Sequence, residues 1–168
     1  RENGYDEAAG VIRIGDARDG ALKARKLCEA RQIVVASPAY LVRHGTPEKL
    51  SDLRDHQVIS YSHLSDSALW QFRQGGRMIS PQVAGRLMLN NGEAMRDMAV
   101  AGLGLAMLPS FIAAPALREG HLAEVLPEVE TRTLPVMAVW PPVAPVPAKL
   151  RVLIDHLAVA FSGGAPWQ

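Results

Sequence analysis

Apolar residues recur along this chain with two different spacings, and segments with one spacing alternate with segments that have the other. A period of two, typical of a half-buried strand, is clear in one run, at Val83, Gly85, Leu87 and Leu89. A period near 3.6, typical of an amphipathic helix, is clear in the last segment, at Leu150, Leu153, Ile154, Leu157 and Phe161. Because strand-like and helix-like segments alternate, the pattern predicts an α/β fold.

The remaining segments are bounded by turn and capping residues. Strands are predicted at residues 10–15, 32–36, 57–61, 68–73, 78–89, 103–108, 122–126 and 134–140. A short helix is predicted at residues 39–44, with Ser37 as its N-cap, Pro38 in its first turn and Gly45 at its end. Asn90 is predicted to open a further helix that Gly102 closes, and Ser110 to cap another.

Charge and composition exclude several classes of function for the chain itself. The net charge is +1 and the basic residues are scattered, whereas a DNA-binding module normally has a basic face. No apolar run approaches the roughly 20 residues of a membrane span. The single cysteine, Cys28, excludes an internal disulfide and favours a reducing compartment such as the cytoplasm. The chain begins without Met or a signal peptide, which suggests a piece of a longer protein.

Motifs for catalysis or cofactor binding are not found. The sequence contains no phosphate-binding loop, no Gly-x-Ser-x-Gly and no His-Glu-x-x-His, and its five histidines share no metal-ligand spacing. Gly102 and Gly104 begin a dinucleotide fingerprint, but its third glycine is missing. His63 follows a predicted strand and could contact a ligand, and Cys28 has no neighbour that would make it a good nucleophile. We therefore expect no enzyme activity, no metal and no cofactor.

Four predicted junctions between a strand and a helix offer a ligand-binding edge instead. In an open α/β sheet, ligands bind at the carboxyl ends of the strands, where helix N-termini present unpaired N–H groups. The junctions lie at Gly15 and Asp16, Ser37 and Pro38, Asn90 and Asn91, and Pro109 and Ser110. Each polar residue could equally do no more than cap its own helix, but together they favour a cleft for a small anion.

The order of these motifs resembles the effector-binding domain of LysR-type transcriptional regulators over nearly the whole chain. The matching motifs are residues 12–15 (IRIG), 35–41 (VASPAYL), 44–47 (HGTP), 53 and 56, 70–72 (WQF), 90–91 (NN), 102–109 (GLGLAMLP), 120–122 (GHL), 125–127 (VLP), 136–141, 149–151 (KLR) and 154–157 (IDHL).

The resemblance implies a periplasmic-binding-protein-like fold of two Rossmann-like lobes joined by crossover strands. Residues 1–36 would then form part of lobe I, residues 37–134 lobe II, and residues 135–168 the strand and helix that return to lobe I. The first strand–helix units of lobe I are missing from the pattern, so the first lobe is expected to be incomplete.

The resemblance also implies a sensing function. A small, often anionic effector would bind between the lobes, and the best ligand-facing candidates are Arg13, Ser37, Ser62, Asn90 and Asn91. The full protein would be a dimer or tetramer that contacts DNA only through an N-terminal helix-turn-helix absent here, and it would lie in the cytoplasm. The alternative is one lobe of a periplasmic solute-binding protein that serves a transporter.

Overall fold

A computed structural model of the chain describes residues 11–14, 22–62, 65, 69–142 and 146–160. The strands of this part are Val11–Ile14 (β1), Lys23–Ala36 (β2), Gln57–Tyr61 (β3), Phe72–Gln74 (β4), Arg77–Ile79 (β5), Ala84–Leu89 (β6), Leu105–Pro109 (β7), Ala123–Val125 (β8), Glu130–Thr131 (β9) and Thr133–Trp140 (β10). Its helices are Pro38–His44 (α1), Gly92–Val100 (α2), Ser110–Arg118 (α3) and Ala148–Ala160 (α4), with a 3₁₀ helix at Leu50–Asp55. None of these helices is long and apolar enough to cross a membrane.

The chain divides into two compact units, with boundaries between residues 30 and 31 and between residues 133 and 134. The predicted lobe boundaries lie between residues 36 and 37 and between residues 134 and 135. The described residues of unit 1 lie in Arg1–Ala30 and Leu134–Pro166, and those of unit 2 in Arg31–Thr133. In unit 1, β1 pairs with β10 in antiparallel register, with Val11 opposite Val139. The helix α4 buries Leu150 and Ile154, whose spacing of four places them on one side of the helix.

The main sheet of unit 2 has the strand order β6-β3-β7-β2-β8. The strands β6 and β7 both run parallel to β3, whereas β2 runs antiparallel to β7 and to β8. A smaller antiparallel sheet has the order β5-β4-β9. The largest fully buried side chains are Trp70, Tyr40, Phe72 and Leu53. Burial of each such side chain contributes about 1.5–3 kcal/mol, so unit 2 has a substantial apolar core of its own.

Several boundaries predicted from the sequence are confirmed. The helix α1 has Ser37 as its N-cap, proline in its first turn and Gly45 as its C-cap. The strand β3 occupies residues 57–61 as predicted, and Gly102, with a φ of +80°, follows Ala101, the C-cap of α2. These features depend on local capping and turn chemistry, which the sequence states directly.

Other predicted elements are wrong. The predicted strand at residues 78–89 is two strands, β5 and β6, which belong to different sheets. Pro81 lies between them, and proline cannot donate a ladder hydrogen bond. In place of the predicted strand at residues 68–73, the structure has a strand that begins at Phe72. Leu69 and Trp70 are not in strand conformation, and Ala68 lies outside the described residues.

Two predicted helix caps are also wrong. Asn91, and not Asn90, is the N-cap of α2. Ser110 is the first residue of α3, whose N-cap is Pro109 and which has no side-chain cap. The prediction for Gly15 and Asp16, like that for His63, falls outside the described residues.

Candidate functional site

The parallel strands of unit 2 end at a common edge, here called the carboxyl edge. Ser62 follows β3, Asn90 and Asn91 follow β6, and Ser110 follows β7. The backbone N–H of Ser62 donates to the carbonyl oxygen of Leu89 at 2.8 Å, which joins the ends of β3 and β6. This edge of an open α/β sheet is where ligands bind, so the structure brings Ser62, Asn90 and Asn91 together at a favourable position.

The helices α2 and α3 begin side by side at the carboxyl edge. A Cβ atom added at Gly92 would lie 2.8 Å from the Cδ1 atom of Ile112, so the first turns of the two helices touch. Asn91 Oδ1 accepts from the N–H groups of Glu93 at 2.8 Å and Ala94 at 3.1 Å. The N-terminus of α2 is therefore capped by its own chain, whereas α3 has neither a side-chain cap nor an acidic residue in its first turn.

Ser37 lies at the opposite edge of the same sheet, here called the Ser37 edge. Because β2 is antiparallel to β7, the end of β2 lies beside the start of β7. A Cβ atom at Gly102, which precedes β7, would lie 3.4 Å from the Oγ atom of Ser37. The structure thus separates Ser37 from the three residues at the carboxyl edge, and it places Arg13 in unit 1, opposite Met137.

The Ser37 edge contains a connected set of buried hydrogen bonds. Ser37 Oγ accepts from the N–H of Tyr40 at 3.2 Å, and the Tyr40 hydroxyl accepts from the N–H of Gln57 at 3.1 Å. The same hydroxyl lies 3.1 Å from His56 Nδ1 and can donate to it when that nitrogen is unprotonated. The His44 ring stacks on Tyr40 with 4.4 Å between centroids. These contacts hold α1 against the start of β3.

Burial determines the ionisation of this cluster. Loss of solvent lowers the pKa of His56, and the nearby His44 lowers it further, while Asp52 and Asp55 act in the opposite direction. Burial also raises the pKa of Tyr40, although the N–H of Gln57 works against this effect. A neutral His56 that accepts from a neutral Tyr40 is consistent with both directions. This arrangement stabilises the fold.

The carboxyl edge also has buried polar atoms, and of the residues that carry them only Ser110 was a candidate from the sequence. Among the described residues, the side-chain amide of Gln32 and the hydroxyls of Ser60 and Ser110 are buried without a hydrogen-bond partner. Gln32 and Ser60 are each only 3% exposed. The indole nitrogens of Trp70 and Trp140 share this property. No sequence signal marked Gln32, because a polar residue inside a strand is normally read as solvent-facing.

Pairing places Gln32 and Ser60 on one face of the sheet. Gln32 lies opposite Pro109, two residues beyond Met107. Val58 lies opposite Leu105, and Ser60 and Met107 are each two residues further along their strands. Since paired residues and alternate residues project from the same face, Gln32, Ser60 and Pro109 share that face. The unpartnered groups therefore lie at or near the end of β7, where α3 begins.

Nothing in the described residues favours a catalytic or metal site. Burial raises the pKa of the Cys28 thiol, and the neighbouring Glu29 raises it further, so the reactive thiolate is disfavoured. No three His, Cys, Asp or Glu side chains in the described ranges are grouped to hold a metal ion. The chemistry that this arrangement offers is hydrogen bonding to a ligand.

This chain is similar to several known proteins. The family model described as LysR substrate binding domain matches residues 7–162. The chain is 33% identical to the probable transcriptional regulator LtrA of Klebsiella pneumoniae over 94% of this chain and 51% of that protein. It is 34% identical to the transcriptional regulator PtxR of Pseudomonas aeruginosa over 88% of this chain and 47% of that protein.

Solved structures show the same fold. The regulatory domain of CrgA from Neisseria meningitidis matches with a TM-score of 0.76 and 29% identity, over 90% of this chain and 74% of that one. The effector domain of AmpR from Pseudomonas aeruginosa, at 18% identity and a TM-score of 0.73, covers 92% of this chain and 71% of that one and shows the shared fold alone. The chain spans about half the length of the curated relatives it matches.

Proposed function

Because the chain belongs to the LysR substrate-binding domain family, we propose that it is the ligand-sensing part of a LysR-type transcriptional regulator. The observation that supports this most is the match of residues 7–162 to the family model, with relatives that are transcriptional regulators. The periplasmic-binding-protein-like α/β fold of its structural neighbours agrees with it. The alternative, a transporter's solute-binding lobe, is not favoured by these relatives.

The proposed ligand is a small effector that binds at the carboxyl edge of unit 2. Ser62 and Asn90 are exposed there at the ends of β3 and β6, and Asn91 fixes the start of α2 beside them. We propose that Ser62 and Asn90 donate or accept hydrogen bonds to the effector, while Asn91 holds α2 in place. Arg13 stays a prediction as a ligand contact, whereas we propose that Ser37, which caps α1 at the other edge of the sheet, serves the fold.

The proposed mechanism is a shift of population and involves no chemical step. An effector that binds one arrangement of the regulator more tightly than another stabilises that arrangement, and DNA binding changes with it. We propose that the intact protein binds DNA through an N-terminal helix-turn-helix, that it acts as a dimer or tetramer, and that it lies in the cytoplasm. The chain's net charge of +1 is consistent with a separate DNA-binding part.

The test begins with the coding sequence upstream of this chain in its gene. We expect a basic helix-turn-helix followed by a long linker helix. The intact protein should then retard DNA from its own upstream region, and effector candidates should change that binding or the output of a reporter. A signal peptide upstream, or an intact protein that does not bind DNA, would contradict the proposal.

Variants of the intact regulator test the site itself. Ser62→Ala combined with Asn90→Ala should weaken the effector response by about tenfold or more in effector concentration, since two side-chain hydrogen bonds are lost. Ser51→Ala, at an exposed serine of the 3₁₀ helix, is the matched control and should respond normally. A normal response of the double variant would exclude these two residues.

A further inference from the structure

We propose that the Asn91–Gly92 pair at the start of α2 is a spontaneous modification site, at which Asn91 becomes aspartate or isoaspartate when the first turn of the helix opens. The reaction takes place within unit 2 and needs only water as a co-reactant. It requires neither an effector nor DNA, so it stands or falls independently of the proposed function.

The chemistry follows from the two residue types, since asparagine is a chemically labile side chain. The Gly92 backbone nitrogen attacks the Asn91 Cγ atom, a C–N bond forms, and the Cγ–Nδ2 bond breaks. The amide proton leaves with the Nδ2 group as ammonia, and a five-membered succinimide ring remains. Water then opens the ring at either of its carbonyl groups and gives aspartate or isoaspartate. Glycine favours the attack because it has no side chain beside the nucleophilic nitrogen.

The fold exposes Asn91 to water and favours glycine after it. Asn91 is exposed, and Gly92 is the first residue of α2, so its N–H comes before the hydrogen bonds of the helix begin. A Cβ atom at position 92 would lie 2.8 Å from the Cδ1 atom of Ile112, so the contact between α2 and α3 favours a residue without one. The packing that joins the two helices therefore favours the same residue that makes Asn91 reactive.

The N-cap of α2 opposes the reaction. Asn91 Oδ1 accepts from the N–H groups of Glu93 at 2.8 Å and Ala94 at 3.1 Å, and the ψ angle of Asn91 is 128°. The ring closes only when the Cα–Cβ bond of Asn91 eclipses the C–N bond to Gly92, which in an L-residue requires a negative ψ. That rotation breaks both cap hydrogen bonds and moves Gly92 away from Ile112. The reaction is therefore confined to states in which the first turn of α2 has opened, and the opening equilibrium sets its rate.

The two products affect α2 differently. Aspartate keeps a side-chain oxygen for the cap, and its negative charge is favourable at a helix N-terminus. Isoaspartate lengthens the main chain by one methylene group and shortens the side chain by the same amount, so the cap geometry is lost. Either product adds a carboxylate at the carboxyl edge, beside Asn90. Ageing of the protein thus weakens the start of α2 through isoaspartate and not through aspartate.

The experiment follows the full chain by peptide mass spectrometry during incubation at mildly alkaline pH, once folded and once in urea. A second Asn–Gly pair, Asn3–Gly4, lies outside the described residues and is the reference in urea. In urea we expect the two pairs to react at rates within about threefold of each other, because no fold protects either. Asn90, which is not followed by glycine, should react at least about tenfold more slowly than Asn91. In the folded chain Asn91 should react about ten- to a thousandfold more slowly than in urea, because the cap must first break.

A variant and its matched control test whether packing against α3 governs the opening. Ile112→Ala removes the side chain that lies against Gly92, and it should speed the reaction of Asn91 in the folded chain by about threefold or more. Leu117→Ala, at a partly buried leucine near the other end of α3, controls for a general loss of stability. It should leave the folded rate within about twofold of the parent chain. Neither change should alter the rate in urea.

Four results would contradict the proposal. An unmodified Asn91 in urea while Asn3 reacts, or a reaction of Asn90 as fast as that of Asn91, would overturn the assignment of the site. A folded rate equal to the rate in urea, or one below the expected range, would overturn the dependence on opening of α2. An Ile112→Ala chain that reacts no faster than Leu117→Ala would do the same.

Discussion

The two edges of the unit 2 sheet use buried polar groups in opposite ways. At the Ser37 edge, Ser37, Tyr40 and His56 form hydrogen bonds within the protein. At the carboxyl edge, the side chains of Gln32, Ser60 and Ser110 are buried without partners among the described residues. Paired buried groups stabilise a fold, whereas unpaired ones reduce its stability and persist where they serve binding. We therefore expect changes at the Ser37 edge to lower stability and changes at the carboxyl edge to alter ligand binding.

The largest expected loss of stability at the Ser37 edge is for Gly104→Ala. A Cβ atom at this position would lie 2.6 Å from the carbonyl oxygen of Gln57, a backbone atom that cannot move without displacing β3. We expect the free energy of unfolding to fall by about 2–4 kcal/mol, measured by chemical denaturation.

Gly120→Ala is the control for this clash. Gly120 also has a positive φ, +73°, but no atom lies within 4 Å of the position that an alanine Cβ atom would take there. Its loss should be only about 1 kcal/mol, from backbone strain alone. Equal losses for the two variants would mean that the start of β7 is not tightly packed against β3.

Tyr40→Phe should give the next largest loss. It removes the hydroxyl that accepts from Gln57 and contacts His56, and it leaves both groups without that partner. We expect the free energy of unfolding to fall by about 2 kcal/mol, with the effector response of the intact regulator unchanged. A Tyr40→Phe chain that keeps its stability but loses ligand binding would reverse the roles given to the two edges.

Gln32→Leu should change stability in the opposite direction and raise the free energy of unfolding. Replacement of an unpartnered buried amide by an apolar side chain of similar size should raise the free energy of unfolding by about 1–2 kcal/mol. Chemical denaturation of the ligand-free chain measures this gain. A loss of stability instead would show that the amide has a structural partner.

The sequence predicted the Ser37 edge better than the carboxyl edge, for a physical reason. Caps and turns are local, so the residues around α1 indicate where it begins and ends. The direction of β2 relative to β7 depends on pairing between residues more than seventy positions apart, such as Gln32 and Pro109. Without knowledge of the direction of β2, Ser37 and Asn90 were both predicted to lie at the carboxyl ends of strands along the same edge of the sheet. The unpartnered state of Gln32 depends on the same non-local packing, as does the burial of His56 against Tyr40.

Ser37→Ala and Ser62→Ala compare two serines that were both predicted from the sequence to face the ligand. Ser37→Ala removes an N-cap hydrogen bond and should lower the free energy of unfolding by about 1 kcal/mol, with the effector response kept. Ser62 is exposed, and its alanine variant should change stability by less than about 0.5 kcal/mol while it weakens the response. Melting curves and reporter titrations measure both. A normal stability of Ser37→Ala with a lost response would return Ser37 to the ligand site.

The smallest expected effect is a pH dependence of stability from His56. Its pKa in the folded chain is lowered by burial and by His44, so the unfolded chain binds a proton more readily than the folded one. The contribution of His56 to stability is therefore complete above the ordinary histidine pKa of about 6.5 and is lost as the pH falls below it. Denaturation between about pH 7.5 and pH 5 should show this decline, and His56→Gln should reduce it. His156→Gln, at an exposed position on α4, should leave the decline as it is. If the decline persists in His56→Gln, another group is responsible, and the neutral Tyr40–His56 pair is not what holds the Ser37 edge together near neutral pH.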